Sequence, residues 1–542
     1  MSEQEFKQAA LEYHRSAPFG KIKVSATKPM VTQRDLALAY SPGVAYACEA
    51  IVADPNEAFT LTARGNLVAV ISNGTAVLGL GNIGPLAGKP VMEGKGVLFQ
   101  KFAGIDVFDI EIDETDPDKL VDIIASLEPT FGGINLEDIK APECFEVERK
   151  LRERMKIPVF HDDQHGTAII VGSAMLNALK VAGKAIEDVK LVTSGAGAAG
   201  IACLDMLVAL GLKPENILAV DRDGVLYTGR ANMDADKQRY ARDTNKRTLA
   251  DIVAGADVFL GLSAGGVLKP EMVATMAERP IIFALANPYP EILPDAAKAV
   301  RPDVIIATGR SDYPNQVNNA LCFPYIFRGA LDVGATCINE NMKLACVHAI
   351  AELARKEASD LGSAYSGETP TFGPEYLIPR PFDPRLLISL APAVAQAAIQ
   401  SGVATRPLPD IALYREKLSQ FVYRTGLLMR PMFERARADI KRVVYAEGEE
   451  ETVLRAVQTV VDEGLARPIL IGRPAVIARR IEKLGLRLKQ GTDFDLTNLD
   501  DDPRFNDYWQ QYHQLMARRG VSPAAAKAIV RSRGTVVAAL MV

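Results

Sequence analysis

The stretch "VKLVTSGAGAAGIACLDMLVALG" at residues 189–211 decides the fold of this chain. It opens with an apolar run that is typical of a buried strand, passes through a glycine-rich turn, and continues as an apolar helix. The next apolar run, "NILAVDRDG" (216–224), brings in Asp221 about twenty residues after the last glycine. Strand, glycine turn, helix and strand in this order predict a βαβ unit with parallel strands.

The same alternation continues toward the C-terminus. Three more short apolar segments, separated by helical patterns, are "ADVFLGLS" (256–263), "PIIFALAN" (280–287) and "DVIIATGRS" (303–311). The repetition predicts a Rossmann-like, doubly wound parallel sheet whose site lies along the carboxyl ends of its strands. A Pro-rich stretch at 367–384 then leads to an apolar helix at 385–402.

The region before residue 189 also has an α/β pattern. "LVAVISNGTAVLGLGNIG" (67–84) predicts two short strands joined by a hairpin at Asn73-Gly74. Helical patterns separate three further predicted strands, within "GIDVFDIEID" (104–113), "PTFGGINLEDI" (129–139) and "KIPVFHDD" (156–163).

The C-terminal part begins a new pattern. Residues 425–441 are charged and helical, which suggests a linker, and a β-α-β pattern restarts near Lys441. It ends on "GTVVAALMV", which we interpret as an unfinished strand, and about 100 residues is small for such a fold. We therefore expect a partial module. The predicted domains are an N-terminal substrate and metal domain at 1–165, a nucleotide-binding domain at 166–390, a helical return and linker at 391–440, and the partial α/β module at 441–542.

Composition excludes some classes of protein. The chain has 542 residues and a formal net charge of only −5, so no nucleic-acid or anionic-membrane partner is indicated. No uninterrupted apolar run approaches the roughly 20 residues that a membrane helix needs. The scattered cysteines form no CxxC pair and favour a reduced, cytoplasmic location; they stand at positions 48, 144, 203, 322, 337 and 346.

The glycine turn carries a dinucleotide fingerprint. A GxGxxG between a strand and a helix lets the backbone approach a pyrophosphate at the helix N-terminus, although a merely tight turn gives the same pattern. Asp221 favours the free ribose diol of NAD, whereas Arg222 could pair the 2′-phosphate of NADP, so both cofactors stay open. The turn consists of Gly195, Ala196, Gly197, Ala198, Ala199 and Gly200.

Two acidic pairs end neighbouring predicted strands. Glu137-Asp138 and Asp162-Asp163 could converge at one sheet edge, giving the oxygen-rich site that Mg²⁺ or Mn²⁺ prefers. The alternatives are a helix N-cap for Asp163 and salt bridges to the arginines at 152 and 154.

Two imidazoles accompany the second pair. His161 and His165 stand at i, i+4, but Asp162 takes the place of the Glu of a zinc protease HExxH, so that class is excluded.

Several ordered motifs together resemble the short bacterial malic enzymes, in the hybrid form with a phosphotransacetylase-like C-terminal domain. The resemblance covers roughly residues 15–425, and the tail from 441 resembles the start of a phosphotransacetylase domain. It rests on "YSPGVA" (40–45), "GLGNIGPLAGKPVMEGKGVLFQKFAGID" (79–106), "LEDI" (136–139), "VFHDDQHGTA" (159–168), "GAGAAG" (195–200), "IIFALANP" (281–288), "NQVNNALCFPYIF" (315–327) and "RVVYAEGEEETVLRA" (442–456).

The resemblance implies the oxidative decarboxylation of L-malate to pyruvate and CO₂, with NADP reduced and Mg²⁺ or Mn²⁺ required. It implies acetyl-CoA as a regulator and a homodimer or higher oligomer with Tyr40 near the interface. An acyltransferase activity of the C-terminal module is the alternative. The implied roles are metal ligands for Glu137, Asp138 and Asp163, base for Lys95, acid for Tyr40, orientation for Asp162, and contacts to substrate and nicotinamide for Asn287, Asn318 and Asn319.

One departure from the family concerns the substrate. Larger malic enzymes carry an Arg that grips a malate carboxylate where this sequence has Ala76. We expect Ser72, Asn73 or a neighbouring subunit to do that work. Neither Tyr40 nor Lys95 would be singled out by periodicity, because a Tyr is usually a core edge and a Lys is usually solvated.

Overall fold

The protein is described here from a computed structural model, which covers residues 3–231, 233–356, 371–462, 464–484 and 486–542. The first residues of the predicted Pro-rich stretch, 367–370, lie outside them. The chain divides into two compact units, one formed by residues 20–422 and the other by residues 1–19 together with 423–542.

The larger unit begins with a four-stranded parallel sheet in the order β2-β1-β3-β4. Its strands are β1 (Leu67–Ser72), β2 (Asp106–Glu111), β3 (Gly133–Leu136) and β4 (Val159–His161). The helices that precede β4 in the chain are α1 (Glu3–Arg15, in the smaller unit), α2 (Gln33–Ala39), α3 (Val44–Ala53), α4 (Ala58–Leu61), α5 (Pro85–Ala103), α6 (Pro117–Ser126) and α7 (Glu143–Arg154).

The predicted hairpin at Asn73-Gly74 is wrong. β1 is the only strand in 67–84, and it pairs in parallel with β2 and β3 instead of with its own continuation. The reason is that the chain folds back on itself after β1: Gly74 has φ +67, and its carbonyl accepts hydrogen bonds from the N–H groups of Ile83 and Gly84. This loop therefore closes over the carboxyl end of β1.

The second sheet has the predicted doubly wound form. Its order is β10-β9-β8-β5-β6-β7, parallel except for the short edge strand β7. The strands are β5 (Leu191–Ser194), β6 (Ile217–Asp221), β7 (Gly224–Val225), β8 (Val258–Gly261), β9 (Ile281–Ala284) and β10 (Ile305–Thr308). Its helices are α8 (Asp162–Ala182), α9 (Ala198–Ala209), α10 (Ala235–Gln238), α11 (Leu249–Val253), α12 (Pro270–Ala274) and α13 (Pro294–Val300).

Helix α8 joins the two sheets. It starts at Asp162, directly after β4 of the first sheet, and packs along α9, which follows the glycine turn of the second. Burial is continuous along most of its 21 residues, so one helix fixes the end of β4 relative to the glycine turn. The remaining helices of this unit are α14 (Phe323–Asp332), α15 (Glu340–Arg355) and α16 (Arg385–Gln400). Helix α17 (Ile411–Ala438) runs through the predicted linker.

The smaller unit contains a third parallel sheet, β11 (Lys441–Tyr445), β12 (Ala466–Ile471) and β13 (Asp495–Thr497), as the β-α-β pattern predicts. The expectation that "GTVVAALMV" is a strand is wrong. It forms a helix with Val537 fully buried against Ile471 and Tyr508, so an apolar contact overrides the strand preference of its valines. The helices that follow β11 in the smaller unit are α18 (Glu451–Asp462), α19 (Pro474–Lys483), α20 (Phe505–Met516), α21 (Pro523–Ser532) and α22 (Gly534–Met541).

One stretch of the described residues, Gln33–Ala53, is long and apolar enough by length and composition to cross a membrane. In the structure it is two helices, α2 and α3, interrupted at residues 40–43, and no part of it is buried in the chain. It leaves an exposed apolar surface that includes Leu38, Tyr40 and Tyr46.

Candidate active site and metal centre

Three carboxylates meet at the carboxyl edge of the first sheet. Glu137 and Asp138 follow β3, and Asp163 stands in the first turn of α8, directly after β4. One oxygen from each lies within 4.8 Å of the others. The neighbouring positions of β3 and β4 in the sheet cause this convergence, because parallel strands that pair side by side end at the same edge.

The backbone at this edge is held in an uncommon conformation. Asp138 has φ +54, in the left-handed region that few non-glycine residues adopt. Its N–H donates to Asp163 Oδ2 at 2.8 Å, and its carbonyl accepts from the N–H of Ala76. Ala76 thus supports the cluster through its backbone, although its side chain cannot grip a substrate carboxylate.

Lys95 reaches the same cluster from α5. Its ammonium lies 2.9 Å from Glu137 Oε1 and 2.6 Å from Asp162 Oδ2, and the side chain is only 7% exposed. Burial lowers the pKa of Lys95, but the adjacent carboxylates of Asp162 and Glu137 outweigh it and raise the pKa well above its usual range. The lysine is therefore a buried counter-ion of Glu137 and Asp162.

The carboxylates of this cluster crowd round one ammonium. Lys95 pairs with Glu137 and Asp162, and the half-buried Asp163 lies close by. Burial raises the pKa of Glu137 to about 7, of Asp162 to about 7 and of Asp163 to about 6. Three carboxylate oxygens lie within 4.8 Å of one another. Such a group of negatively charged oxygens fits the coordination of a hard divalent cation. The residues present therefore match the Mg²⁺ or Mn²⁺ that the sequence predicts.

Asp162 faces Lys95 and Asn319. Its Oδ2 accepts from Lys95 Nζ and from Asn319 Nδ2 at 2.5 Å, while Asp163 turns toward Asp138. A Cβ at Gly166 would lie 1.9 Å from Asp162 Oδ1, so only glycine leaves this carboxylate its place. The alternatives of an N-cap for Asp163 and salt bridges to the arginines at 152 and 154 are not found; Asp163 caps no helix, and the Arg154 side chain pairs with Asp122.

Glu148, on α7, contacts the first turn of α8 through both of its carboxylate oxygens. Its Oε1 accepts from the N–H of His161 at 3.1 Å, and its Oε2 lies 2.8 Å from His165 Nε2. Burial raises the pKa of Glu148, but the nearby and hydrogen-bonded His165 outweighs it, and the pKa falls to about 2. The backbone N–H of His161 and the ring of His165 thus link α7 to the first turn of α8, which carries Asp162 and Asp163.

The predicted glycine turn lies between β5 and α9. Gly195 has φ +111, and a Cβ there would lie 2.4 Å from the carbonyl oxygen of Leu262. A Cβ at Gly200 would lie 2.1 Å from the carbonyl oxygen of Gly195, so α9 can start this close to the strand only with glycine. Gly197 is the N-cap of α9 and Ala198 its first residue, so the turn ends at a helix N-terminus, as a pyrophosphate site requires.

Asp221 ends β6 as predicted, but its carboxylate is already occupied. Oδ1 accepts from the N–H of Asp223 and from Arg230 Nη1, and Oδ2 accepts from Arg230 Nη2 and from Lys237 Nζ. These four bonds use the four acceptor positions of a carboxylate. Burial raises the pKa of Asp221, but these partners outweigh it and lower the pKa to about 2. Arg222 is exposed, and no hydrogen bond or ion pair of its side chain is found among the described residues.

Two predicted asparagines show no bond to the acidic cluster. Asn287 is exposed after β9, where its side chain lies against Gly309. Asn318 caps a short turn through its side chain, which accepts from the N–H of Ala320.

Tyr40 is not joined to the cluster within this chain. It lies at the C-terminal end of α2 and is 70% exposed. In the described part of the chain, no side-chain hydrogen bond, ion pair or ring contact links it to Lys95 or to the three converging carboxylates.

Ser72 and Asn73 have structural partners. The Ser72 hydroxyl oxygen accepts from the N–H of Gly74, and Asn73 Nδ2 donates to the carbonyl of Glu114 while its Oδ1 accepts from Thr75. Both side chains stabilise the loop that follows β1.

Sequence families match the chain in three successive segments. "Malic enzyme, N-terminal domain" matches residues 19–152, "Malic enzyme, NAD binding domain" matches 164–367, and "Phosphate acetyl/butaryl transferase" matches 427–542. The chain is 64% identical over 541 residues to the "NADP-dependent malic enzyme" of Escherichia coli (strain K12), covering 99% of this chain and 71% of that protein. The chain belongs to the malic enzyme family.

Related malic enzymes are named for different cofactors. A protein of Rhizobium meliloti (strain 1021), 62% identical over 538 residues and matched over 99% of this chain and 70% of its own length, is named "NAD-dependent malic enzyme". Among solved structures, malic enzyme from Pyrococcus horikoshii Ot3 is 42% identical with a TM-score of 0.71, covering 79% of this chain and 98% of that one.

Proposed function

We propose that this malic enzyme chain catalyses the oxidative decarboxylation of L-malate to pyruvate and CO₂, with NADP as the hydride acceptor and a divalent cation in the acidic cluster. The observation that carries the proposal is the convergence of Glu137, Asp138 and Asp163 around one point, with Lys95 bonded to the same group of carboxylates.

Glu137, Asp138 and Asp163 would hold Mg²⁺ or Mn²⁺ through carboxylate oxygens. A cation there supplies Lewis-acid polarisation of the malate C2 oxygen and stabilises the negative charge that decarboxylation leaves on it. Asn135 supports this arrangement, because its Nδ2 donates to Glu137 Oε2 at 2.9 Å. The support orients Glu137 so that its other oxygen faces Lys95.

Lys95 would act as the base that accepts the proton of the C2 hydroxyl. It must give up its own proton first, and the carboxylates that raise its pKa oppose this. A positive charge held by Glu137 and Asp163 would offset those carboxylates and so lower the pKa of Lys95 toward the working range. Asp162, which bonds both Lys95 and Asn319, would orient the lysine toward a substrate held near Asn319, with Asn287 and Asn318 at the nicotinamide side.

Tyr40 would protonate C3 of the enol and would be supplied by a second copy of the chain. Its 70% exposure and the exposed apolar side chains around it, among them Leu38 and Tyr46, support an interface at α2 and α3. Mixing the inactive variants Tyr40→Phe and Lys95→Ala tests this, because a hybrid dimer keeps one intact site. Recovered activity in the mixture is expected, and no recovery despite subunit exchange would contradict it.

The cofactor is NADP because the acidic end of β6 carries more positive than negative charge. Arg230 and Lys237 occupy both oxygens of Asp221, so the carboxylate has no acceptor position left for a ribose diol, and one of the two cations is in excess. An excess cation beside the adenosine ribose suits a 2′-phosphate. These residues, and not Arg222, would set the preference.

The decisive experiment measures NADPH formation with L-malate and Mn²⁺. Glu137→Gln keeps the size of the side chain and removes its charge, so activity should be lost while NADP⁺ still binds. Glu146→Gln, at an exposed position of α7 where the carboxylate pairs with Lys150, is the matched control and should behave like the wild type. If Glu137→Gln stays active and needs no more Mn²⁺ than the wild type, Glu137 is not a metal ligand.

Acetyl-CoA would act as an inhibitor through the C-terminal unit. The match of residues 427–542 to a phosphate acetyl/butyryl transferase family supports an acyl-CoA site there. The expected result is a fall in malate turnover on addition of acetyl-CoA and no effect of free acetate. An alternative is that the unit is itself an acyltransferase; formation of acetyl phosphate from acetyl-CoA and phosphate would establish it.

A cytoplasmic location fits the thiols. All six cysteines lie in described residues and are free, including Cys322 and Cys346, whose thiols lie within hydrogen-bond distance of each other at 4.0 Å and form no disulfide. Reduced thiols at that separation are expected in a reducing compartment. Fractionation of expressing cells would test it.

A further inference from the structure

Glu148 is a buried carboxylate that the proposed chemistry does not use. It is 5% exposed and lies on the face of α7 that also buries Val147 and Leu151. Both of its oxygens point to the first turn of α8: one accepts from the backbone N–H of His161, and the other meets the His165 ring. A charge in such a position needs a structural or functional reason, because burial of a carboxylate is costly.

The two contacts bracket the two functional aspartates. His161 precedes Asp162 and is the N-cap of α8, and no side chain of its own caps the helix. His165 follows Asp163 at the end of the same turn. The N–H groups at a helix start have no partners within the helix, and Glu148 provides one from a neighbouring helix. Fixing residues 161 and 165 therefore fixes the directions in which the intervening side chains leave the helix.

Lys343 completes the arrangement from α15. Its side chain is buried, and its ammonium lies 3.3 Å from His165 Nδ1 and 2.5 Å from Glu340. An ammonium can only donate, so Nδ1 must accept and the ring proton sits on Nε2, facing Glu148. The chain of contacts Lys343, His165, Glu148 and the N–H of His161 leaves one consistent set of donors and acceptors. We call these four groups the Glu148 clamp.

We propose that Glu148 is a positioning residue that, through the Glu148 clamp, orients Asp163 toward Glu137 and Asp138 and orients Asp162 toward Lys95. The inference rests on the proposed metal centre. It adds a residue from α7 and one from α15 that touch neither substrate nor cation but set the geometry of both aspartates.

The test measures Mn²⁺ binding by electron paramagnetic resonance in the absence of malate, together with amide hydrogen exchange of the metal-free protein. Glu148→Ala should weaken Mn²⁺ binding by up to about 10- to 100-fold, the range that follows loss of groups that support a metal site without touching the metal. It should also speed exchange at residues 161–165 and leave the NADP⁺ dissociation constant unchanged. Glu153→Gln, an exposed, ion-paired residue of the same helix, is the control for both measurements.

A double substitution distinguishes positioning from general support. In Glu148→Gln the amide NH₂ would face the Nε2 proton of His165, and Lys343 prevents the ring from moving its proton to Nδ1. Adding Lys343→Met frees Nδ1, so the ring can accept from the glutamine. Mn²⁺ binding should therefore be tighter in Glu148→Gln/Lys343→Met than in Glu148→Gln alone. A role in stability alone predicts no such recovery.

The outcomes separate the two proposals. If the wild type binds no Mn²⁺, the metal centre is wrong, and faster exchange at 161–165 in Glu148→Ala still decides whether the clamp exists. If the wild type binds Mn²⁺ and Glu148→Ala binds it equally well, the clamp is wrong and the metal centre stands. Should Glu148→Ala lose NADP⁺ binding and hence its fold, the absence of recovery in the double variant would overturn the clamp.

Discussion

Two acidic sites at the carboxyl ends of parallel strands have opposite charge balance. At the edge of the first sheet, the ammonium of Lys95 pairs with the carboxylates of Glu137 and Asp162. The carboxylates of Asp138 and Asp163 lie beside Glu137, and burial raises the pKa of Glu137 to about 7. At the end of β6, the single carboxylate of Asp221 is held by Arg230 and Lys237, and its pKa falls to about 2. Similar positions in two sheets thus carry an excess of negative charge in one case and of positive charge in the other.

The contrast shows how the charge balance of a site indicates the sign of its ligand. A group of buried charges that its own chain does not balance predicts a ligand of the opposite sign. By this reasoning we expect a cation at the first site and an anionic group such as a phosphate at the second. At the end of β6 the acidic residue Asp221 would by itself suggest the wrong sign of ligand, because its cationic partners reverse the local charge.

The largest effect is expected at the centre of the negative site. Lys95→Ala should lower kcat by about 10²- to 10⁴-fold, the usual contribution of a general base. Its removal also leaves Asp162 and Glu137 without their ammonium, so Mn²⁺ should bind at least as tightly as in the wild type. Steady-state NADPH formation and Mn²⁺ titration measure the two quantities. A large loss of Mn²⁺ affinity in this variant would break the charge argument.

Removing one ligand charge should affect the cation directly. Asp163→Asn is expected to weaken Mn²⁺ binding by more than the roughly 10- to 100-fold that loss of an outer partner costs. Its amide can still accept from the N–H of Asp138, so the backbone contact survives. Electron paramagnetic resonance gives the dissociation constant, and Asp122→Asn, at an exposed ion pair, is the control. Equal affinities in Asp163→Asn and the wild type would remove this residue from the ligand set.

The positive site should respond to loss of a cation by losing NADP. Lys237→Met removes the excess charge and should weaken NADP⁺ binding by about 1.5–3 kcal/mol, or ~10- to 150-fold, with a smaller effect on NAD⁺. The dissociation constants follow from fluorescence titration of the reduced cofactors. Lys213→Met, in the connection that precedes β6, is the control. An equal loss for both cofactors would mean that Lys237 does not read the 2′-phosphate.

The smallest effect is on stability. The folded pKa of Asp221 is about 2, below its ordinary 3.8, so its ion pairs stabilise the fold above pH ~4 and lose that contribution as the pH falls through about 2. The contribution is about 1 kcal/mol after allowance for solvent screening. Urea midpoints of the wild type and Asp221→Asn should differ at pH 7 and converge below pH 4. A difference that widens on acidification would contradict the sign.

The pattern of the chain was sufficient to predict both α/β regions and the place of the acidic pairs. Strands that alternate with helices put Glu137 and Asp163 at one edge, and the hydrophobic pattern alone is enough for that. The hairpin at Asn73-Gly74 failed because a local turn signal cannot reveal that β1 is a central strand with partners far along the sequence. Pairing partners are a property of the whole sheet.

Lys343, which the sequence analysis missed, and Lys95, which only the family resemblance singled out, share one signal. Lys95 lies between Met92 and Phe99 on the buried face of α5, and Lys343 lies on the buried face of α15 with Cys346. A charged residue at an apolar position of a helix is costly unless it has a buried partner, so helical spacing could have pointed to both. Pro90 and the glycines of α5 are residues that disfavour a helix, so the sequence pattern did not predict one there. Arg230 had no comparable signal, because it comes from an irregular segment that only the fold brings to Asp221.

Gly166 shows how this site limits what engineering can do to the enzyme. A glycine within a helix costs about 1 kcal/mol relative to alanine, so the usual thermostabilising replacement would be Gly166→Ala. Its methyl group would occupy the place of the Asp162 carboxylate oxygen. Any gain in helix stability at this position would therefore displace the Asp162 side chain. Directed evolution for heat resistance should leave Gly166 unchanged and select stabilising substitutions elsewhere.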